Sequence, residues 1–273
     1  MTQAIDSSKD IEQHDHVLRM GGSALLAMFT RRWILATLIA IIAIAVMVRL
    51  GIWQLDRLEK RRAFNTRVSA QLAQPTLTID QSGLDLDLGE MEYRSVIVRG
   101  EYDLSHEVAL RNQVWDNRLG VHLLTPLKIS GTDTYILVNR GWAPTENFQY
   151  DDWPEYSEPG LVEVHGMLRA SQDTPDYGRR TDPIPLPGEE PLLVWNFANA
   201  EQIAEQVPYK LLPMAYVQQA PDASWTELPY RSLPELELTE GPHFGYALQW
   251  FTFAIVLGLG YPIFIHRRMN KRK

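Results

Sequence analysis

The sequence predicts an integral membrane protein in which two transmembrane α-helices flank a β-rich extracytoplasmic domain, barrel-like or α+β in its fold. Three observations predict it. Long apolar runs stand near both ends of the chain, at Trp33–Val48 and Phe244–Ile265. Between them lie short β-branched segments bounded by Gly, Asp, Asn or Pro, a strand signature rather than a helical one. Finally, the charge flanking the second run is strongly unequal, with acidic residues before it and a basic cluster after it.

Residues 1–30 begin with Asp6, Ser7, Ser8, Lys9, Asp10 and Glu12, and no apolar pattern starts before Leu25. They read as a disordered cytoplasmic tail. His14 and His16 lie close together in it, but histidines in such a tail are more often solvated than ligating. Residues 31–53 form the first span, from Arg31-Arg32 to an exit where Arg49 can snorkel and Trp53 can sit at the interface. A cleaved signal peptide is the rival reading. The polar leader is long for one, and no small-x-small cleavage pattern follows, so a retained anchor is favoured.

Residues 54–241 hold a stalk helix and the β-rich domain. Gln54–Gln74 is rich in helix formers and stops before Pro75. Strands are expected at 93–100, 106–112, 120–129, 134–139, 161–168 and 212–218, with a hairpin turn at Ile129–Thr134 and one short helix at Phe197–Val207. Asp173–Pro191, loaded with Pro, Gly and charge, reads as an exposed loop.

Residues 242–266 form the second span. Phe244–Ile265 carries no charged residue and rises about 33 Å as a helix, enough for a hydrocarbon core of roughly 30 Å. Pro242 suits its first turn. Residues 267–273 are a basic tail with Arg267, Arg268, Lys271, Arg272 and Lys273, whereas Glu235, Glu237 and Glu240 precede the span. The basic end belongs in the cytoplasm, and two spans return both termini there. Arg57, Lys60, Arg61 and Arg62 argue the reverse, but long translocated domains tolerate such charges.

Composition removes whole classes of function. The net charge of −8 and the lack of a basic–aromatic stripe argue against a nucleic-acid partner. Without cysteine there are no disulfides, thiolate metal sites, iron–sulfur clusters or covalent c-type haem attachment. A metal must therefore use His, carboxylate, Met or Tyr.

Enzyme signatures fail in turn. His106-Glu107 opens like a zinc-protease helix, but Leu110 stands where the second histidine is needed. No Gly-x-Ser-x-Gly elbow or phosphate-cradling loop occurs. Asp151-Asp152, in a turn beside Trp153, and the strand histidines His122 and His165 have ordinary structural explanations. A membrane-tethered hydrolase is thus the weakest reading. Two places remain. His243 heads the second span, and helical spacing puts Tyr246, Ala247 and Trp250 on its face, which suits a metal ligand at the membrane boundary. Arg140-Gly141-Trp142-Ala143-Pro144 closes a strand and could present Arg140 and Trp142 side by side to an interface, a lipid headgroup or an acidic ligand; a plain turn explains the same Gly and Pro.

Four blocks, Gly51-x-Trp53-Gln54-x-x-Arg57-x-x-Lys60, Gly120-Val-His-Leu-Leu-Thr-Pro-Leu127, Val138-Asn-Arg-Gly-Trp-x-Pro144 and His243-x-x-Tyr246-Ala247-x-x-Trp250-Phe251, occur in this order. Together they resemble the surfeit locus family of cytochrome c oxidase assembly factors. The resemblance says little for 171–231. It implies a multi-pass protein of the cell inner membrane with a periplasmic main domain, binding haem a transiently and assisting its insertion into oxidase subunit I, with haem a synthase a further candidate partner. By the resemblance His243 becomes the axial ligand, with Tyr246 and Trp250 beside the haem and Arg140 and Trp142 steadying a propionate or the partner. A cofactor-free scaffold that stabilises an oxidase assembly intermediate is the alternative.

Overall fold

A computed structural model describes residues 28–145, 156–172, 182–183 and 190–271. The histidines of the N-terminal tail, the Asp151-Asp152 pair, most of the Asp173–Pro191 loop and the last two basic residues lie outside them. The chain forms two compact units, one from the residues up to Asn65 together with those from Leu238 onward, the other from Thr66–Glu237.

Two helices are long and apolar enough to cross a membrane, and their apolar stretches lie in the first unit. Helix α1 spans Ile34–Leu72. Span and stalk, read separately from sequence, are one helix, because nothing between Arg49 and Leu72 breaks the backbone pattern except Gly51, which a helix tolerates. The terminal helix, numbered α3 in chain order, spans His243–Asn270. Pro242 is its N-cap rather than part of its first turn, so His243 is the first helical residue. Pro262 lies inside α3, where it has no N–H to offer the preceding turn.

The helices run antiparallel, as their contacts show in sequence. Trp33 meets Phe264 edge-to-face at 6.1 Å, Thr37 shares a 2.9 Å hydrogen bond with Tyr261, and the Phe251 ring covers the bare backbone of Gly51. Farther along, Arg62 makes two 2.8 Å bonds to the Glu240 carboxylate. Arg61 and Asn65 donate to the Thr239 carbonyl at 3.0 and 3.2 Å. Large apolar side chains such as Ile39, Ile42, Ile255 and Val256 point outward, as lipid-facing residues do.

The second unit is built on strands β1 (Leu77–Ile79), β2 (Ser95–Tyr102), β3 (Val108–Trp115), β4 (Arg118–Ile129), β5 (Thr134–Pro144), β6 (Leu161–Ala170), β7 (Val194–Trp195) and β8 (Lys210–Gln219), with the short helix α2 at Ala200–Ala204. Their order is β1-β2-β6-β8-β5-β4-β3-β7, and β2 also pairs with β4. That last pairing, Gly100–Tyr102 against Leu127–Ile129, closes β2, β6, β8, β5 and β4 into a five-stranded barrel. Gly100 permits the closure, since a Cβ there would fall 2.1 Å from the Lys128 carbonyl. Val96, Val98, Leu127, Ile136, Val164 and Val217 fill the main core. A second cluster, with Trp195, Leu137 and Ile203, packs around α2.

The expected hairpin at Ile129–Thr134 is present, with Gly131 at φ +77°. A second hairpin joins β3 and β4 through Asp116 and Asn117, both at positive φ, as a two-residue turn with right-handed strand twist requires. The strand expected from Tyr93 starts only at Ser95, because Tyr93 itself is at φ +76°.

Candidate functional site

His243 owes its position to the chain just ahead of it. The Arg62 fork on Glu240 and the two donors on Thr239 fix the approach to α3. Gly241, at φ +67°, makes the final bend. The imidazole is half-buried, and its Nδ1 lies 2.9 Å from the Gln54 side-chain oxygen on α1. A carbonyl oxygen only accepts, so Nδ1 carries the proton, and a neutral imidazole held this way keeps its lone pair on Nε2. Of the residues expected to share its face, Ala247 is buried, Trp250 is half-buried and edge-on to Phe253 at 6.3 Å, and Tyr246 is 46 % exposed at the margin.

Among the described residues, no group of three or more His, Asp or Glu side chains is placed to hold a metal ion. His243 offers a single imidazole, with the aromatic side chains of Tyr246 and Trp250 following on the same helix, which suits a group that asks the protein for one nitrogen ligand. Haem meets that description, whereas a bare ion needing a full protein shell does not.

Arg140 and Trp142 belong to the other unit, and their surroundings correct the expectation of a ligand- or partner-facing pair. β5 carries a bulge against β4: Leu123 pairs with Gly141 and Leu124 with Asn139, leaving Arg140 as the extra residue. The bulge turns the guanidinium inward to 0 % exposure. There it bonds Glu107 at 2.8 Å and Glu158 at 3.2 Å, donates to the Tyr156 carbonyl, and lies 5.0 Å from the Tyr102 ring centre. Burial alone would lower the Arg140 pKa, but Glu107 and Glu158 outweigh it and hold it above the ordinary value. Burial pushes the Glu107 carboxyl up, while Arg140 and the Thr125 hydroxyl pull against it. Glu158 also takes Arg231 at 2.9 Å. The result is an internal charge network with no surface to offer a propionate.

Trp142 is buried as well. It stacks on Tyr230 at 6.0 Å with the rings nearly parallel, and their backbones exchange two 2.8 Å hydrogen bonds. Gly141 sits at φ +126°, where a Cβ would fall 2.4 Å from the Tyr230 carbonyl oxygen. His122, opposite Trp142 in the ladder, shares a 3.0 Å bond with Asn139, and burial pushes its pKa down to about 4. His106 is engaged with Asp103 at 2.7 Å, a carboxylate that also accepts from Tyr209 and Ser105. Neither histidine is presented as His243 is.

The sequence model of the SURF1 family matches residues 41–255, most of the chain. The chain belongs to the SURF1 family. Among its relatives, the SURF1-like protein of Rickettsia felis is 25 % identical over 232 residues, covering 83 % of this chain and 95 % of its own length. The SURF1-like protein of Caenorhabditis briggsae is 24 % identical over 242 residues, 80 % of this chain and 70 % of its own. Surfeit locus protein 1 of Xenopus tropicalis is 26 % identical over 165 residues, 55 % and 53 % of the two chains. The SURF1 match starts inside α1 and ends inside α3, so it takes in Gln54, the barrel and His243.

Sequence reasoning missed Glu107 and Glu158 as partners of Arg140 and Arg231 as the second cation on Glu158, and it quoted Gln54 without giving it a role. Glu107 left a usable trace: a carboxylate directly ahead of the apolar strand start Val108-Ala109-Leu110. Glu158 and Arg231, in irregular segments far apart in sequence, left none.

Proposed function

We propose that this chain is a non-enzymatic assembly factor for cytochrome c oxidase, which receives haem a on His243 and assists its insertion into subunit I. Membership of SURF1, a family known in general as oxidase assembly factors, supports the coarser part. The finer part is carried by one observation: His243 stands at the head of a membrane helix with Nδ1 bonded to Gln54 and Nε2 free to coordinate. Haem a is cargo here, and its iron would take the imidazole as one axial ligand. Trp250 and Tyr246, on or beside the same helical face, would flank the macrocycle. Haem a synthase is the natural donor for such a carrier.

In this reading the protein lies in the cell inner membrane with both termini cytoplasmic and the barrel in the periplasm. The acidic approach through Glu235, Glu237 and Glu240 and the basic exit at Arg267, Arg268 and Lys271 support that orientation. The test is the visible spectrum of full-length protein purified from cells that make haem a. A haem a spectrum that His243→Ala diminishes and alters supports the carrier. Haem-free wild-type protein that still stabilises an oxidase intermediate would replace it with the cofactor-free scaffold.

A further inference from the structure

We propose that Gln54 is the positioning residue of the haem site, holding the His243 imidazole in the one neutral tautomer that leaves Nε2 available to iron. The inference rests on the ligand role given to His243 above and adds what sets that ligand's chemistry.

The two residues are 189 positions apart, and their side chains meet through a single 2.9 Å hydrogen bond. The contacting atom of Gln54 is its carbonyl oxygen, which has no proton to give. His243 must donate from Nδ1, and a neutral imidazole that donates there carries its lone pair on Nε2. Without a partner the two tautomers interconvert freely, and a fraction of the molecules would present an N–H to the metal. Coordination through a preset Nε2 displaces no proton. It also leaves Nδ1–H bonded to an acceptor, the outer-shell arrangement that orients histidine ligands at metal centres. An amide in this role, unlike a carboxylate, adds no charge at the end of an apolar helix pair.

Both ends of the hydrogen bond are held. Gln54 is in the middle of α1, with helix extending many residues to either side. The residues just before His243 are tied to the same helix by Arg61, Arg62 and Asn65. Gly241 lies beside the Nε2 edge: a Cβ there would touch Cδ2 at 3.5 Å and Nε2 at 3.7 Å, so the missing side chain keeps that edge open.

The decisive experiment reads the tautomer without haem. Full-length protein labelled with ¹⁵N-histidine in detergent micelles, with the His243 signals identified by their loss in His243→Ala, should show a single Nδ1–H tautomer. Gln54→Leu should turn this into a mixture. On titration with haem a, Gln54→Leu should bind about tenfold more weakly or worse, the usual cost of losing an outer-shell partner. Gln54→Glu, which keeps an acceptor, should restore binding and lower the reduction potential of the bound haem, a change that a folding defect does not produce. An Nε2–H tautomer in the wild type, or nitrogen shifts unchanged in Gln54→Leu, overturns the proposal. If the tautomer responds to Gln54 but His243→Ala binds haem a with an unaltered spectrum, the hydrogen bond stands. The ligand reading then falls, and the positioning role falls with it.

Discussion

The Arg140 guanidinium lies 2.8 Å from the Glu107 carboxylate with both side chains shut away from solvent, at 0 % and 1 % exposure. Such a pair contributes little net stability over an apolar substitute, but removing one member strands a buried charge. Arg140→Met should therefore destabilise the protein by about 3–5 kcal/mol. Arg140→Met combined with Glu107→Leu should recover part of that loss. Denaturant unfolding of the detergent-solubilised protein, followed by tryptophan fluorescence, measures both. A double variant less stable than the single would contradict the stranded-charge account.

Gly141 is held at φ +126° against the Tyr230 backbone, so both conformation and space exclude a side chain. Gly141→Val should cost at least about 1–3 kcal/mol and lower the protein's abundance. Gly131→Ala is the control. Gly131 also has positive φ, at +77°, but nothing lies within 4 Å of its Cβ position, so its effect should be the smaller. Comparable melting temperatures for the two variants would show that Tyr230 exerts no steric constraint.

His122 gives a pH dependence whose sign can be worked out. Burial lowers its folded pKa to about 4, while an unfolded histidine titrates near 6.5. Between those values the unfolded chain binds the extra proton, so stability is full above about 6.5 and declines as pH falls toward 4. The slope from this one group is at most about 1.4 kcal/mol per pH unit. His122→Gln should flatten the decline in an unfolding series run from pH 7 to 4. An unchanged slope would place the acid sensitivity elsewhere.

His243→Ala should leave membrane insertion and fold intact, since it removes one side-chain bond at a helix start. It should nevertheless purify with less haem a and an altered residual spectrum. Pro242→Ala, at the N-cap, should do much less. Equal haem content and identical spectra in wild type and His243→Ala would remove His243 as the ligand.

Orientation can be read with a reporter active only in the periplasm. Fused after Lys273 it should be silent, and inserted between Asp173 and Pro191 it should be active. The reverse pair of signals would invert the topology.

The same residues show what could be read in advance. β4 and β6 were legible, within a few residues, from β-branched runs with turn residues at their ends. Leu77-Thr78-Ile79 and Val194-Trp195 were not, because strands of three and two residues have no periodicity and exist only where β2 and β3 offer a free edge. His243 was legible as a candidate because helix position alone singles it out; its partner Gln54 was not, because pairing across 189 residues depends on how two helices align. Arg140 misled. Its sequence neighbours suggest an exposed turn, and a one-residue bulge reverses the direction in which it points.

The strands that end the sheet, β1 and β7, are three and two residues long, while the long strands β2, β4, β5, β6 and β8 spend their edges on closing the barrel. Among the described residues the barrel strands leave little unpaired ladder to recruit a strand from a second molecule; the open edges are those of β1 and of β3 beyond Leu110, where β7 stops. A protein confined to a membrane surface meets its own copies at high local density, which is where edge-to-edge aggregation is most dangerous. Circularising the strands answers that hazard in the backbone itself, and it leaves side-chain chemistry on the barrel's outside free to change without inviting polymerisation.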